Sequence, residues 1–125
     1  PNAAPRFPRH LHYLDNDRVK VDGLKIAGLG GIIGNPRLPR LRSDEQYIEC
    51  LESLLSHRTD ILITHDGPND PVGRHRGSPL IREVVERLRP SLIVRGHAHW
   101  KQPLVRLSGG VQVLNVDARV VVLHA

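Results

Sequence analysis

The apolar residues of this chain first occur in short runs with strand-like spacing. "LHYLD", "RVKVDG" and "LKIAGLGG" are β-biased and are separated by Asp-Asn and Asp-Gly turn signals, so they predict two or three strands. The tract "GGIIGNPRLPRLR" is rich in Gly and Pro and predicts a loop around an edge of the fold.

Two helices and two buried strands are predicted next. Ser43 is a predicted N-cap with Gln46 as its capping-box partner, and Ser78 is a second N-cap, with Pro79 at the first helical position. The strands are "DILITH" and "SLIVRGH", short continuous apolar runs typical of burial on both faces. The apolar stripes of the helices are Tyr47, Ile48, Leu51, Leu54 and Leu55 in the first and Leu80, Ile81, Val84, Val85 and Leu88 in the second.

The tail of the chain again has strand-like spacing. "PLVRL", "VQVLNVD" and "RVVVLHA" predict three more strands, divided by the Gly109-Gly110 turn. Strands that alternate with helices indicate an α/β fold with a mixed sheet or a pair of sheets. At 125 residues and 39% hydrophobic content, the chain is expected to form a single domain over residues 1–125.

The composition of the chain indicates which cellular compartment suits it. The sequence contains no run of about 18 apolar residues that could cross a membrane, and its first ten residues do not resemble a signal peptide. Cys50 is the only cysteine and lies within an apolar helical pattern, which excludes an internal disulfide and favours a buried thiol. We therefore expect a reducing compartment and a cytoplasmic location.

The net charge of +5 comes mainly from arginine and suits an anionic partner, such as a small phosphate ester. Nucleic acid is not favoured, because the basic residues are scattered and aromatic residues make up only 3% of the chain. Much of the charge is expected to lie on a solvated face. The composition does not indicate an oligomeric state.

The candidate chemistry lies in "IVRGHAHW" and in the strand before it. His65 ends one buried strand and His97 ends the other, and parallel strands joined through a helix bring their carboxyl ends to one edge. If the strand continues to His99, the period of two places His97 and His99 on the same side. If a turn starts at Gly96, the backbone approaches a ligand closely instead. Both alternatives bring three imidazoles together.

Imidazole nitrogen is the commonest metal ligand in proteins and suits zinc, manganese or iron better than magnesium or calcium. A single histidine at a strand end is more often only a hydrogen-bonding residue. Three that converge, His65, His97 and His99, predict a metal site.

The sequence also resembles a known family. "THDGP" and "GHAH" each follow an apolar strand and are joined by "GSPLIREVVERLRPSLIVR", as in the calcineurin-like metallophosphoesterases. The resemblance extends from about Leu11 to the end of the chain. It implies a four-layer αββα sandwich with mixed β-sheets, two divalent metal ions at a sheet edge, and hydrolysis of phosphomonoesters or phosphodiesters.

By motif position, the resemblance implies that His65 and His97 bind one metal ion and that His99 binds the other, the ions being Mn²⁺, Fe²⁺/Fe³⁺ or Zn²⁺. Asp66 and Asn69, in the loop that follows His65, are candidates to support the ligands or to contact the phosphate. Arg74 and Arg76 are candidates to bind the phosphate bidentately, the alternative being that both are solvated loop residues.

The chain departs from the family pattern in its first part. The early motifs Asp-x-His, Gly-Asp-x-x-Asp and Gly-Asn-His are not intact, although Asn2 is a candidate remnant of the third. The bridging aspartate and the general acid therefore have no candidates. We expect the chain to be the carboxyl-terminal portion of a phosphoesterase domain and to be inactive alone. The alternative is a truncated or degenerate non-catalytic domain that binds a metal or an anionic partner.

Overall fold

The structure is a computed structural model that describes residues 11–70, 72 and 75–124. These residues form strands, two α-helices and one 3₁₀ turn at Ser108–Gly110. The elements in chain order are β1 Asp17–Val21, β2 Leu24–Leu29, β3 Ile32–Ile33, β4 Leu41–Arg42, α1 Asp44–Leu55, β5 Ile61–Thr64, α2 Pro79–Leu88, β6 Leu92–Arg95, β7 Leu104–Arg106 and β8 Gln112–Asn115.

The main sheet has six strands in the order β1-β2-β5-β6-β8-β7. Its four central strands run parallel, whereas β1 and β7 pair antiparallel at the two edges. The predicted mixed α/β fold is confirmed. The tract predicted as a loop differs in detail, because β3 and β4 within it form a small parallel pair of their own.

The first hairpin follows the turn signals of the sequence. β1 and β2 are joined by Asp22 and Gly23, both with positive φ (49° and 83°), as expected for an Asp-Gly turn between antiparallel strands. "LHYLD" is not a strand in the structure. Instead, Leu14 packs against Gly28, where an added Cβ would lie 2.5 Å from the Leu14 Cβ.

Both helices pack against one face of the main sheet. The Ser43 side chain accepts from the Gln46 backbone N–H and the Gln46 side chain accepts from the Ser43 N–H, so the predicted capping box is formed. The N-cap at Ser78 is formed as well. The predicted stripe of α2 is wrong at Leu80, which is 42% exposed. The core is one cluster of apolar residues from both helices and the inward face of the strands, including Tyr47, Leu51, Ile81, Val85, Ala27, Leu62, Ile93 and Val113.

The tail differs from its prediction. β7 and β8 are present, but residues 119–124 form no strand, and Val120 and Val122 are largely exposed. The Val116 N–H donates to the Arg95 carbonyl at 2.9 Å, and the ladder ends there. Cys50 is partly buried against the core. In the described part of the chain, no helix is long and apolar enough to cross a membrane.

Candidate metal and phosphate site

The site begins where β5 and β6 end side by side. Thr64 and Arg95 are paired in register at the carboxyl ends of these parallel strands, and the Gly96 N–H donates to the His65 carbonyl at 3.1 Å. His65 and His97 follow at the same edge, with ring centroids 5.0 Å apart and ring planes inclined by 58°. The topology therefore brings these two predicted site residues into contact.

The backbone turns sharply at His97. Its φ is 67°, in the left-handed region that side-chain-bearing residues rarely adopt, and the Ala98 N–H donates to the Gly96 carbonyl at 2.8 Å across it. The structure therefore has the turn at Gly96 rather than a continued strand. A non-glycine residue held in this conformation costs about 1–3 kcal/mol, and such strain is concentrated at functional sites.

His99 follows the turn and is held from its Nδ1 side. Nδ1 lies 3.0 Å from the Asp117 carbonyl oxygen and 3.6 Å from the Asp117 carboxylate. Because these oxygens only accept, Nδ1 is the donor in this contact, and Nε2 lies on the other side of the ring from Asp117. This is the arrangement in which an imidazole presents Nε2 to a metal. The guanidinium of Arg119 lies 3.5 Å from that nitrogen.

A cleft of about 800 Å³ opens beside the turn. Its polar lining residues include Asp66, Arg76, Ser78, Arg95, His97 and His99. Ser78 caps the N-terminus of α2, where the backbone N–H groups and the helix dipole favour an anion. Leu80 also lines this cleft, which is why its side chain is exposed rather than packed in the core. The cleft therefore combines imidazole, guanidinium and the N-terminal end of a helix.

Asp66 is fixed at the base of the cleft. It is 9% exposed and accepts hydrogen bonds from the N–H groups of Gly67 at 2.8 Å and Ile33 at 3.2 Å. Burial raises the pKa of the nearby Tyr47 hydroxyl well above its ordinary value, and the Asp66 charge raises it further. Tyr47 is therefore neutral under Asp66 at any physiological pH.

The predicted substrate-binding residues differ in their position relative to the cleft, and one of them lies outside the described residues. Arg76 is exposed and lines the cleft together with His97 and His99. Asn69 is partly buried, does not line the cleft, and its Oδ1 has no hydrogen-bond partner among the described residues. Arg74 lies outside the described residues. Asn2, the candidate remnant of an early motif, lies outside them too.

Sequence reasoning missed the packing of the loop between β5 and α2. The Asp70 Oδ2 and the His75 Nδ1 are 2.9 Å apart, and both side chains are nearly buried. The His75 ring stacks on Trp100, with centroids 5.0 Å apart and planes inclined by 22°. The Trp100 Nε1–H donates to the Arg76 carbonyl at 2.8 Å. These contacts join the loop that carries Arg76 to the segment after His99.

Arg95 was missed as well. It is 1% exposed, and burial lowers the pKa of its guanidinium from the ordinary value, an effect that the charge of Asp66 opposes. The available signal was an arginine at an inward position of a strand that is otherwise apolar.

The donor set for a metal is incomplete within the described residues. No group of three His, Cys, Asp or Glu side chains among them is close enough to hold one ion. His65 and His97 form the contacting pair, and His99 lines the cleft beside them. Zinc sites in proteins use at least three protein ligands. His65 and His97 therefore fit part of a metal site, which needs further ligands from other residues.

Comparisons with known proteins bear on the fold and the family of the chain. TT1561 of Thermus thermophilus, known from a crystal structure, has a similar fold, with a TM-score of 0.67 at 18% sequence identity. The match covers 83% of this chain and 48% of that one, so the chain spans about half the length of this neighbour. No curated protein matches the sequence. The family model for calcineurin-like phosphoesterases, whose members generally bind divalent metals and hydrolyse phosphoesters, matches residues 6–101. The chain belongs to the calcineurin-like phosphoesterase family.

Proposed function

We propose that this chain is the later part of a metal-dependent hydrolase of phosphomonoesters or phosphodiesters. The observation that carries the proposal is the contact between His65 and His97 at the carboxyl edge of the sheet, beside a cleft that also receives His99 and Arg76. Ligands of α/β sheets bind at this edge. The match to about half of a longer neighbour supports an enzyme that contains more chain than these 125 residues.

In this proposal His65 and His97 hold one divalent ion and His99 holds a second, each ion being manganese, iron or zinc. A pair of such ions polarises a phosphoryl group and lowers the pKa of a bound water. Arg76, which lines the cleft, binds the phosphate oxygens in this proposal. Arg74 and Asn69 belong to the same loop and stay candidates for the same role, although Asn69 does not line the cleft. The helix N-terminus at Ser78 adds favourable backbone dipoles.

The size of the cleft supports a small phosphate ester as substrate rather than nucleic acid, and its lining carries both signs of charge, with Asp44 and Asp66 beside the arginines. The cleft has an arginine and a helix N-terminus to meet one phosphate group. Only 3% of the residues in the chain are aromatic, which leaves few faces for stacking bases. Cys50, the single thiol, supports a reducing compartment such as the cytoplasm.

A second candidate function is a non-catalytic domain that binds a metal or an anionic partner. The observation in its favour is the incomplete donor set, because the described residues bring no three metal-binding side chains together. This candidate predicts metal binding by the histidines in the chain without hydrolysis by any longer form of the protein.

The experiment compares the chain with the longer parent protein that the proposal requires. Both are titrated with Mn²⁺ and Zn²⁺ by calorimetry, and both are assayed with 4-nitrophenyl phosphate and bis(4-nitrophenyl) phosphate. We expect the chain alone to hydrolyse neither ester appreciably and the metal-loaded parent to hydrolyse at least one. His97→Ala and His99→Ala should each lower metal affinity and rate about tenfold or more, since even groups that only support a metal ligand have effects of this size.

His57→Ala is the matched control, because His57 is exposed beyond the end of α1. It should leave metal affinity and rate unchanged. Wild-type metal affinity in His97→Ala would refute the metal assignment. An inactive parent that still binds metal through these histidines would favour the second candidate. Fast manganese-dependent turnover by the chain alone would show that its ligands have been undercounted.

A further inference from the structure

Arg95 occupies a position where an apolar side chain would be expected. It is the last residue of β6 and lies on the face of the sheet that carries the core, between Thr64 of β5 and Asn115 of β8. Its side chain is 1% exposed. No carboxylate among the described residues forms an ion pair with it, so its burial is not explained by a salt bridge.

The guanidinium instead donates four hydrogen bonds to backbone carbonyls. Nε and Nη2 donate to the Gly96 oxygen at 3.1 and 2.8 Å. Nη1 donates to the Pro68 oxygen at 2.9 Å and to the Arg76 oxygen at 3.2 Å. These acceptors belong to three separate segments: the turn after β5, the segment before α2 and the turn after β6. One side chain therefore joins the segments that carry His65, Arg76 and His97.

Packing holds this side chain from both sides. The guanidinium carbon lies 4.9 Å from the centre of the Trp100 ring, within the range of a cation–π contact. On the other side lies Gly67, where an added Cβ would be 2.8 Å from the Arg95 Cδ. Trp100 is also hydrogen-bonded to the Arg76 carbonyl, so the ring and the guanidinium hold the same segment. The planar, five-donor guanidinium suits this geometry in a way that a lysine ammonium does not.

We propose that Arg95 is a positioning residue: it holds the turn after β5 and the turn after β6 together and thereby keeps the imidazoles of His65 and His97 in contact at the site assigned to a shared metal ion. The link from positioning to metal affinity rests on the proposed function. The contact between the two rings does not, because it is a feature of the chain's own fold. Removing Arg95 should therefore disturb the histidine pair before it unfolds the sheet.

Arg18 provides a matched control. Its side chain also donates to backbone carbonyls, to that of Leu54 and, at 2.9 Å, to that of Arg58, and it contacts the Thr59 hydroxyl at 3.3 Å. These acceptors lie before β5, at the opposite end of the strand from His65. Arg18→Met and Arg95→Met thus remove hydrogen bonds of the same kind, from an arginine to backbone carbonyls, at the two ends of β5. Arg95→Lys tests rescue by a conservative substitution.

Two measurements on the chain separate positioning from general stability. The first is the nuclear Overhauser effect between the His65 and His97 ring protons in the metal-free chain. The second is the affinity for Co²⁺, followed by its visible absorption. We expect Arg95→Met to lose the ring-to-ring effect and to bind Co²⁺ about tenfold more weakly or worse, in line with other groups that orient metal ligands. Arg95→Lys should recover part of both signals, and Arg18→Met should retain both despite a lower unfolding midpoint.

The outcomes distinguish the inference from the proposed function. If Arg95→Met keeps the ring-to-ring effect, or if Arg18→Met weakens both signals equally, Arg95 is only a structural residue and the inference fails. If the wild-type chain shows the ring-to-ring effect but does not bind Co²⁺, the metal assignment fails while the positioning role stands.

A second variant covers the case in which Arg95→Met does not fold. Gly67→Ala keeps the guanidinium but places a methyl group against its stem, and it should weaken both signals in the same direction by a smaller factor. Unchanged signals in a folded Gly67→Ala would then overturn the proposal.

Discussion

The turn at His97 allows a test of whether this edge of the sheet gives up stability for its side chain. His97 has a φ of 67°, and the hydrogen bond from Ala98 to Gly96 closes the turn around it. Glycine adopts this conformation without steric cost, whereas alanine keeps the Cβ that causes the strain. His97→Ala and His97→Gly both remove the imidazole, so a comparison of the two isolates the backbone contribution.

The expected difference follows from two opposing terms. A left-handed conformation costs a side-chain-bearing residue about 1–2 kcal/mol, which glycine avoids. Glycine in turn loses about 0.4–1 kcal/mol through the greater entropy of the unfolded chain. His97→Gly should therefore be more stable than His97→Ala by about 0.5–1 kcal/mol, the difference between these two terms.

The assay is urea denaturation of both variants, together with the same pair of substitutions at His57. His57 is exposed and is not among the residues with positive φ, so glycine there should be less stable than alanine by about 0.5–1 kcal/mol. The two positions should thus give differences of opposite sign. If glycine is less stable than alanine by the same amount at both positions, the turn at His97 is not strained and the reasoning is refuted.

Two further predictions concern stability away from the turn. Ser43→Ala removes the capping box of α1 and should lower the free energy of unfolding by about 1 kcal/mol. The control Ser53→Ala, at an exposed position in the same helix, should change it by no more than about 0.5 kcal/mol. Equal losses for the two variants in urea titrations would contradict the capping role. Because burial raises the pKa of Tyr47, its contribution to stability is fully present below the ordinary tyrosine pKa of about 10 and is lost as the pH rises above it. Tyr47→Phe should therefore reduce the loss of stability between about pH 9 and 11 in urea titrations, and an unchanged profile would count against a buried neutral phenol.

Much of the scaffold was predictable because local signals and the global fold agree. Ser43 and Gln46 predict a helix start from side-chain chemistry alone, and the Asp22-Gly23 pair predicts a turn from backbone conformation alone. The meeting of His65 and His97 followed from topology, since a helix between two buried strands makes them parallel.

Other features depend on contacts that no local pattern encodes. "RVVVLHA" has strand propensity, but within the described part of the chain it pairs with no neighbouring strand and its valines are exposed. The side-chain contacts of Arg95 join segments more than ten residues apart, and its spacing in the strand is that of an ordinary core residue. Arg76 was identified from its charge, and its place in the cleft comes from the loop that Arg95 and Trp100 hold.

Two features that oppose stability lie two residues apart at this turn. His97 adopts a left-handed conformation, and Arg95, two residues earlier, buries a guanidinium with no ion-paired carboxylate among the residues that the structure describes. A glycine at position 97 would adopt this turn without steric cost, and the guanidinium at position 95 is buried to bind backbone carbonyls rather than to fill an apolar core. Both side chains act on the same turn, one by presenting an imidazole and the other by fixing its backbone. Local strain that recurs around one group of side chains is the pattern expected where those side chains bind a ligand. The two tests are therefore linked: if His97→Gly is more stable than His97→Ala while Arg95→Met separates the imidazoles, the turn is maintained for its histidine and not for the stability of the sheet.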